Sequence, residues 1–303
     1  MNRATNTADT RRVRAGIAYV VMSAVAFGAM AILARFAFAS GVDTTTLLAL
    51  RFAGAAVVML AVLRARGLSL PRGSTLGVLM ALGAAGYGGQ AICYFTALKL
   101  APAGLAALLL YLHPALVALL AAIFLHERLT TAKLIALAIA LAGTMLTVGP
   151  AMSGEALALA PNLLAGLAFA VASAGFYAAY IIVASWVGRR AGAMPMSTVV
   201  IASAAAVFVI ATLIRGPQWP GTATGWFAVA GITLLSTVVA ITLYFAGLER
   251  IGPVRASTLS TVEPLCTVLL AAWVLDESIA PVQLAGGALI LAAAVLIARA
   301  RAA

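Results

Sequence analysis

Residues 94–127 read YFTALKLAPAGLAALLLYLHPALVALLAAIFLHE, and residues 244–277 read YFAGLERIGPVRASTLSTVEPLCTVLLAAWVLDE. Laid over each other without a gap, the two stretches share their opening Tyr-Phe, a central proline (Pro114, Pro264) and a closing glutamate (Glu127, Glu277). The same offset of 150 positions holds upstream, where AGIAYVVMSAVAFGAM from Ala15 lies over AGLAFAVASAGFYAAY from Ala165. It pairs Gly16 with Gly166, Ser23 with Ser173 and Phe27 with Tyr177. The chain is read as a duplication, residues 1–149 followed by residues 150–303.

Composition decides what surrounds the two copies. At 64% hydrophobic and 9% charged residues, with a mean hydropathy of +1.12, the chain lacks the polar side chains to cover a water-facing surface. A bilayer core about 30 Å thick takes roughly 20 apolar residues per helix. Windows of that kind fall at 14–38, 44–63, 74–98, 101–124, 131–149, 161–185, 196–215, 222–247, 253–275 and 280–298. The links between them are too short for a soluble domain. The expected fold is an all-α polytopic membrane protein of ten transmembrane helices, five in each copy. Because five is odd, the second copy enters from the opposite face, which makes the halves inverted repeats, a design characteristic of secondary transporters.

The formal net charge is +11, but the basic residues alternate by loop instead of forming a nucleic-acid surface. Arg3, Arg11, Arg12 and Arg14 precede the first window; Arg64, Arg66 and Arg72 follow the second; Arg128 and Lys133 follow the fourth. Arg189 and Arg190, Arg250 and Arg255, and Arg299 and Arg301 continue the series, while Arg35, Arg51, Lys99 and Arg215 fall elsewhere. By the positive-inside rule both termini are expected in the cytoplasm, in the inner membrane of a bacterium. Ala37-Phe38-Ala39 resembles a signal cleavage site, but the apolar run before it is too long and the repeat needs it. Cys93 and Cys266 share no motif and read as small buried hydrophobes.

The tandem segments LYLHPALVALLAAIFLHERLT and STVEPLCTVLLAAWVLDESIA, each a hydrophobic run through proline to a terminal acid, resemble the drug/metabolite transporter superfamily and its EamA-type ten-helix members. The resemblance covers nearly the whole chain. It implies export or exchange of small metabolites such as amino acids, through a cavity lined mostly by the first, third, fourth, sixth, eighth and ninth helices.

Glu263 lies near the middle of the ninth window, where a charge costs about 2.5–3.5 kcal/mol and so must face a cavity or a partner. Ser260 and Thr267, one turn to either side, give that face a hydroxyl-carboxylate-hydroxyl stripe. Pro264 removes a helical hydrogen bond and kinks the helix, and Pro114 does the same in the fourth. Such a site could hold a substrate ammonium or a proton. The repeat mate of Glu263 is His113, so each half sets one titratable side chain before its proline. Tyr87, Gln90 and Tyr94 in the third window, and Thr233, Thr237 and Tyr244 in the eighth, read as polar stripes. The glycine-rich GAAGYGGQ around Tyr87 permits close packing, unwinding or backbone contact with a ligand. Tyr94 and Tyr244, which inversion sends to opposite ends, are expected as gates. Tyr111, Tyr177 and Tyr180, with Phe27 and Trp226, are candidate aromatic walls, Trp226 reading as interfacial. Arg51 is expected to snorkel toward the outer surface.

No enzyme signature emerges: HERLT at His126 lacks the second histidine of a zinc motif, and no nucleophile elbow or phosphate loop occurs. No cofactor is expected. The sequence reads as a monomeric carrier exporting amino acids or similar amphiphiles. The alternatives are a carrier of cationic drugs or nucleotide sugars, the latter weakened by the lack of inward-facing basic residues for phosphates, and a cation-conducting channel.

Overall fold

The computed structural model describes residues 2–101, 106, 109–148, 162–276 and 279–299. Glu277, Arg301, the repeat junction at 149–150 and the side chains of Arg3, Lys99 and Arg189 lie outside the described residues. Every regular element described is helical, as a lipid-embedded chain requires when no water can satisfy its peptide groups. In order they are α1 (Asn2–Ala39), α2 (Thr44–Ala65), α3 (Gly73–Ala81), α4 (Gly88–Leu100), α5 (His113–Phe124), α6 (Thr131–Val148), α7 (Leu163–Ala191), α8 (Ala193–Arg215), α9 (Ala223–Thr233), α10 (Ala240–Ile251), α11 (Pro253–Ser260), α12 (Val262–Leu275) and α13 (Pro281–Arg299).

These make ten passes among the described residues. Eight spans are long and apolar enough to cross a bilayer, and His113–Phe124 and Thr131–Thr147 are shorter apolar helices. Two spans contain wide π-helical turns, Leu82–Tyr87 joining α3 to α4 and Leu234–Val239 joining α9 to α10. The span Pro253–Leu275 and the helix that starts at His113 are each interrupted shortly before a proline, as described below.

The chain divides into two compact units, each built from both repeats. The first comprises Met1–Ala84 and Ala184–Gly252, the second Ala85–Val183 and Pro253–Ala303. In the first unit α1 packs on α10 with almost no side chain between them. A Cβ on Gly16 would stand 2.6 Å from Ile251 Cγ2, and one on Gly247 would overlap Val20. Ser23 Oγ donates to Ala240 O at 2.7 Å, and Ser236 Oγ to Ala26 O at 2.7 Å. α2 packs on α8 through stacked Phe52 and Phe208 rings, 5.6 Å apart. The start of α2 is capped by Asp43, whose carboxylate accepts from Thr45 N (3.0 Å) and Thr46 N (3.2 Å). Partial burial pushes this acid up, but the hydrogen bonds from Thr46 and Thr45 together hold it below the usual carboxylate range.

In the second unit α6 and α13 meet at Gly143 and Gly286, where a Cβ on Gly143 would come within 2.8 Å of the Gly286 carbonyl. α4 meets α7 through Ser173 Oγ, which donates to Gln90 O at 3.0 Å.

The offset of 150 recurs in three dimensions. The bonds Ser23 to Ala240 O and Ser173 to Gln90 O exchange donor and acceptor positions between the repeats. The close approach of Gly16 to Ile251 is matched by that of Gly166 to Ala101, whose Cβ would be 2.7 Å away. His126 and Asp276 end α5 and α12 in the same left-handed conformation, with φ of 52° and 53°. The fold is two inverted five-helix repeats whose helices pair across the copies.

Candidate binding site in the second unit

The site begins with two interrupted helices. α11 ends at Ser260, Thr261 turns with its hydroxyl on Thr258 O (2.7 Å), and α12 restarts at Val262 with Glu263 in its first turn. Likewise Tyr111 and Leu112 turn and α5 starts at His113 with Pro114 in the first turn. Each proline therefore initiates a helix, where its missing N–H has no partner to lose, and does not bend a continuous one. The restart leaves the Glu263 carboxylate at the positive end of α12.

Glu263 is half-buried, and Tyr94, Tyr111 and Cys266 lie within its electrostatic reach. Its neighbours in the stripe are partly engaged: Ser260 Oγ donates to Ser257 O (2.7 Å) and Thr267 Oγ1 to Glu263 O (3.2 Å).

His113 is 2% exposed and sits at the centre of an aromatic series. Its ring lies 4.6 Å from Tyr177 and 6.3 Å from Tyr111; Tyr177 continues to Tyr180 at 6.1 Å, and Tyr180 to Tyr87 at 5.9 Å. His113 Nδ1 is 3.1 Å from Leu110 O. A carbonyl only accepts, so Nδ1 carries the hydrogen. Among the described residues Nε2 is buried without a hydrogen-bond partner. One turn from Tyr87, Gln90 Nε2 donates to Ser173 Oγ at 3.2 Å. Tyr94 packs against the small-residue cluster of Ala97, Ala106 and Ala170. No cluster of three or more His, Cys, Asp or Glu side chains forms among the described residues.

The second unit thus brings together Glu263, His113, Ser260, Thr267, Tyr87, Gln90, Tyr177 and Tyr94 among the residues singled out from the sequence. Phe27, Thr237 and Tyr244 belong to the first unit. Tyr244 is 4% exposed there, and Thr237 is fully engaged. Thr237 Oγ1 donates to Ile232 O (2.9 Å) and accepts from Arg51 Nε (2.6 Å), while Arg51 Nη2 reaches Ser236 O (3.4 Å). Arg51 therefore does not snorkel. It is 4% exposed and held by the π-helical turn, whose extra residue presents the Ser236 carbonyl and Thr237 hydroxyl on one side.

Two further residues read as loop cations are buried. Lys133 binds Glu127 at 2.9 Å and Arg128 O at 3.1 Å, and Arg255 is 4% exposed within α11. The signal for Arg255 was its place inside the ninth apolar window, which starts at 253, where Pro253 opens the helix.

The profile of the EamA-like transporter family matches residues 14–149 and 164–299. An aromatic amino acid exporter of Ancylobacter novellus is 32% identical over 62% of this chain and 64% of its own length. An uncharacterized transporter of Synechocystis is 26% identical over 66% of this chain and 60% of its own. The chain therefore spans less than two thirds of each of these two relatives. An uncharacterized transporter of Archaeoglobus fulgidus is 28% identical over 93% of this chain and 96% of its own. A chain of known crystal structure, 24% identical, shares the fold with a TM-score of 0.81, covering 93% of this chain and 95% of that one.

Proposed function

Because the chain belongs to the EamA-like transporter family, we propose that it is a secondary carrier of amino acids whose substrate is held in the second unit beside Glu263 and His113. The observation that carries this reading is the juxtaposition, in one compact unit, of an intramembrane carboxylate at a helix restart with the ring series His113–Tyr177–Tyr180–Tyr87.

Each group suits one part of an amino acid. The Glu263 carboxylate, in the first turn of α12, attracts an ammonium group. The ring series offers apolar, polarisable walls to an aromatic or bulky aliphatic side chain, with His113 Nε2 ready to accept from a ring N–H or O–H. The exporter from Ancylobacter novellus, named for aromatic amino acids, lends weight to aromatic substrates. The inverted repeats supply two forms of equal architecture, open to either side in turn, so that export or exchange proceeds by alternating access. A lipophilic cation is the second reading, favoured by the same carboxylate and aromatic faces.

Ligand-dependent stabilisation of the purified protein tests the substrate class. A ligand present at 100 times its Kd stabilises the folded state by about 2.7 kcal/mol. Tryptophan, tyrosine or phenylalanine should raise the unfolding midpoint, and tetraphenylphosphonium and UDP-glucose should not. Stabilisation by tetraphenylphosphonium alone would move the reading to cationic drugs, and by UDP-glucose alone to nucleotide sugars.

A further inference from the structure

One end of the first unit concentrates exposed positive charge. Arg11, Arg12 and Arg14 stand exposed on the third and fourth turns of α1. α2 runs back toward them and finishes with Arg64, followed by Arg66 and Arg72, all exposed. The far end of this arrangement is fixed by Gln218 N on Thr46 Oγ1 (3.0 Å) and Gly221 N on Ser40 O (2.8 Å). α8, which leads into that far loop, must therefore begin at the arginine end, with exposed Arg190 just before it. The last turn of α10 completes the rim, since a Cβ on Gly16 would lie 2.8 Å from Arg250 Cβ. Against these eight arginines the same segments bring only Asp9 and Glu249.

The second unit is sparser in exposed basic side chains, with Arg128 and Arg299 exposed. In the second unit Lys133 and Arg255 are 5% and 4% exposed, both turned inward around Glu127. At this end of the first unit Arg11, Arg12, Arg14, Arg64, Arg66, Arg72 and Arg190 are all exposed, and Arg250 is half-buried beside them.

Aromatic rings set their depth. Trp186 is 60% exposed on α7, and the Arg190 guanidinium lies 5.9 Å from its ring centre. Arg250 lies 4.9 Å over Tyr19. Exposed tryptophan belongs at the boundary of hydrocarbon and headgroups, so a guanidinium stacked on it stands at the level of lipid phosphates, which arginine binds with paired N–H groups.

We propose that the basic end of the first unit binds the phosphate groups of anionic phospholipids, with Trp186 and Arg190 as one anchoring pair. The occupant is a lipid and not a soluble phosphate, because the Trp186 face needs an acyl chain against it. Each guanidinium near an anionic surface contributes about a fivefold preference at low salt.

The test is native mass spectrometry of the full chain released from vesicles of equimolar palmitoyl-oleoyl phosphatidylglycerol and phosphatidylcholine. The wild type should retain the phosphatidylglycerol in excess. Combined Arg64→Gln, Arg66→Gln and Arg190→Gln should cut that excess at least fivefold, Arg190→Gln alone should cut it measurably, and Arg215→Gln, at the opposite end, should leave it unchanged. Millimolar glycerophosphoglycerol, the headgroup without acyl chains, should not displace the lipid. Equal retention of the two lipids, an equal loss in Arg215→Gln, or displacement by the free headgroup would each overturn the proposal.

Discussion

Asp43 illustrates how one side chain ties stability to pH. Its folded carboxyl is held below the usual range by hydrogen bonds from Thr46 and Thr45 that outweigh its partial burial. A depressed acid stabilises the fold fully above its unfolded pKa and loses that contribution as pH falls through the folded value. The wild type should therefore lose stability below about pH 4 relative to Asp43→Ala, which at neutral pH should already be weaker by about 0.5–2 kcal/mol; parallel pH profiles would refute the cap. His126 and Asp276 carry left-handed strain that glycine would relieve. His126→Gly and Asp276→Gly should each add about 1 kcal/mol, read as a higher unfolding midpoint. The sequence made Glu263 and His113 conspicuous because charge in lipid needs a reason. Arg51 stayed hidden because its partner is a backbone irregularity, the π-helical turn at Leu234–Val239, which helical periodicity does not reveal.

Most helix boundaries were legible to within a few residues, since lipid enforces long apolar windows, although α1 begins twelve residues before its window and α7 runs six residues past its own. The interruptions of the helices were not. Pro114 and Pro264 were read as kinks, whereas the chain turns before each and restarts, because proline is better placed at the start of a helix than inside one. The packing of helix pairs rests on glycine and serine, and two substitutions separate tight contacts from open ones. Gly143→Leu would drive a Cβ to within 2.8 Å of the Gly286 carbonyl, backbone that cannot yield, and should destabilise by about 1–3 kcal/mol or more. Gly175→Ala meets nothing within 4 Å and should be neutral or stabilising by up to about 1 kcal/mol. The paired bonds of Ser23 and Ser173 predict losses of about 1 kcal/mol each on change to alanine, and a large difference between the two would deny their equivalence.

Duplication at an offset of 150 positions was written plainly in the sequence, and the matched bonds of Ser23 with Ala240 and Ser173 with Gln90 carry it into the fold. What the sequence hid was that compact units form across the repeats, because helix pairing depends on side-chain contacts between copies and not on chain order. That rearrangement gathers the aromatic series and Glu263 in one unit and leaves Arg51, Thr237 and Phe27 in the other. The central claim is that Glu263 holds the travelling amino acid. Its most direct test is counterflow of radiolabelled tryptophan into proteoliposomes preloaded with unlabelled tryptophan, comparing wild type with Glu263→Gln at equal protein density. Saturable wild-type uptake that falls at least tenfold in the variant is the predicted result. Uptake of equal size in both would contradict it.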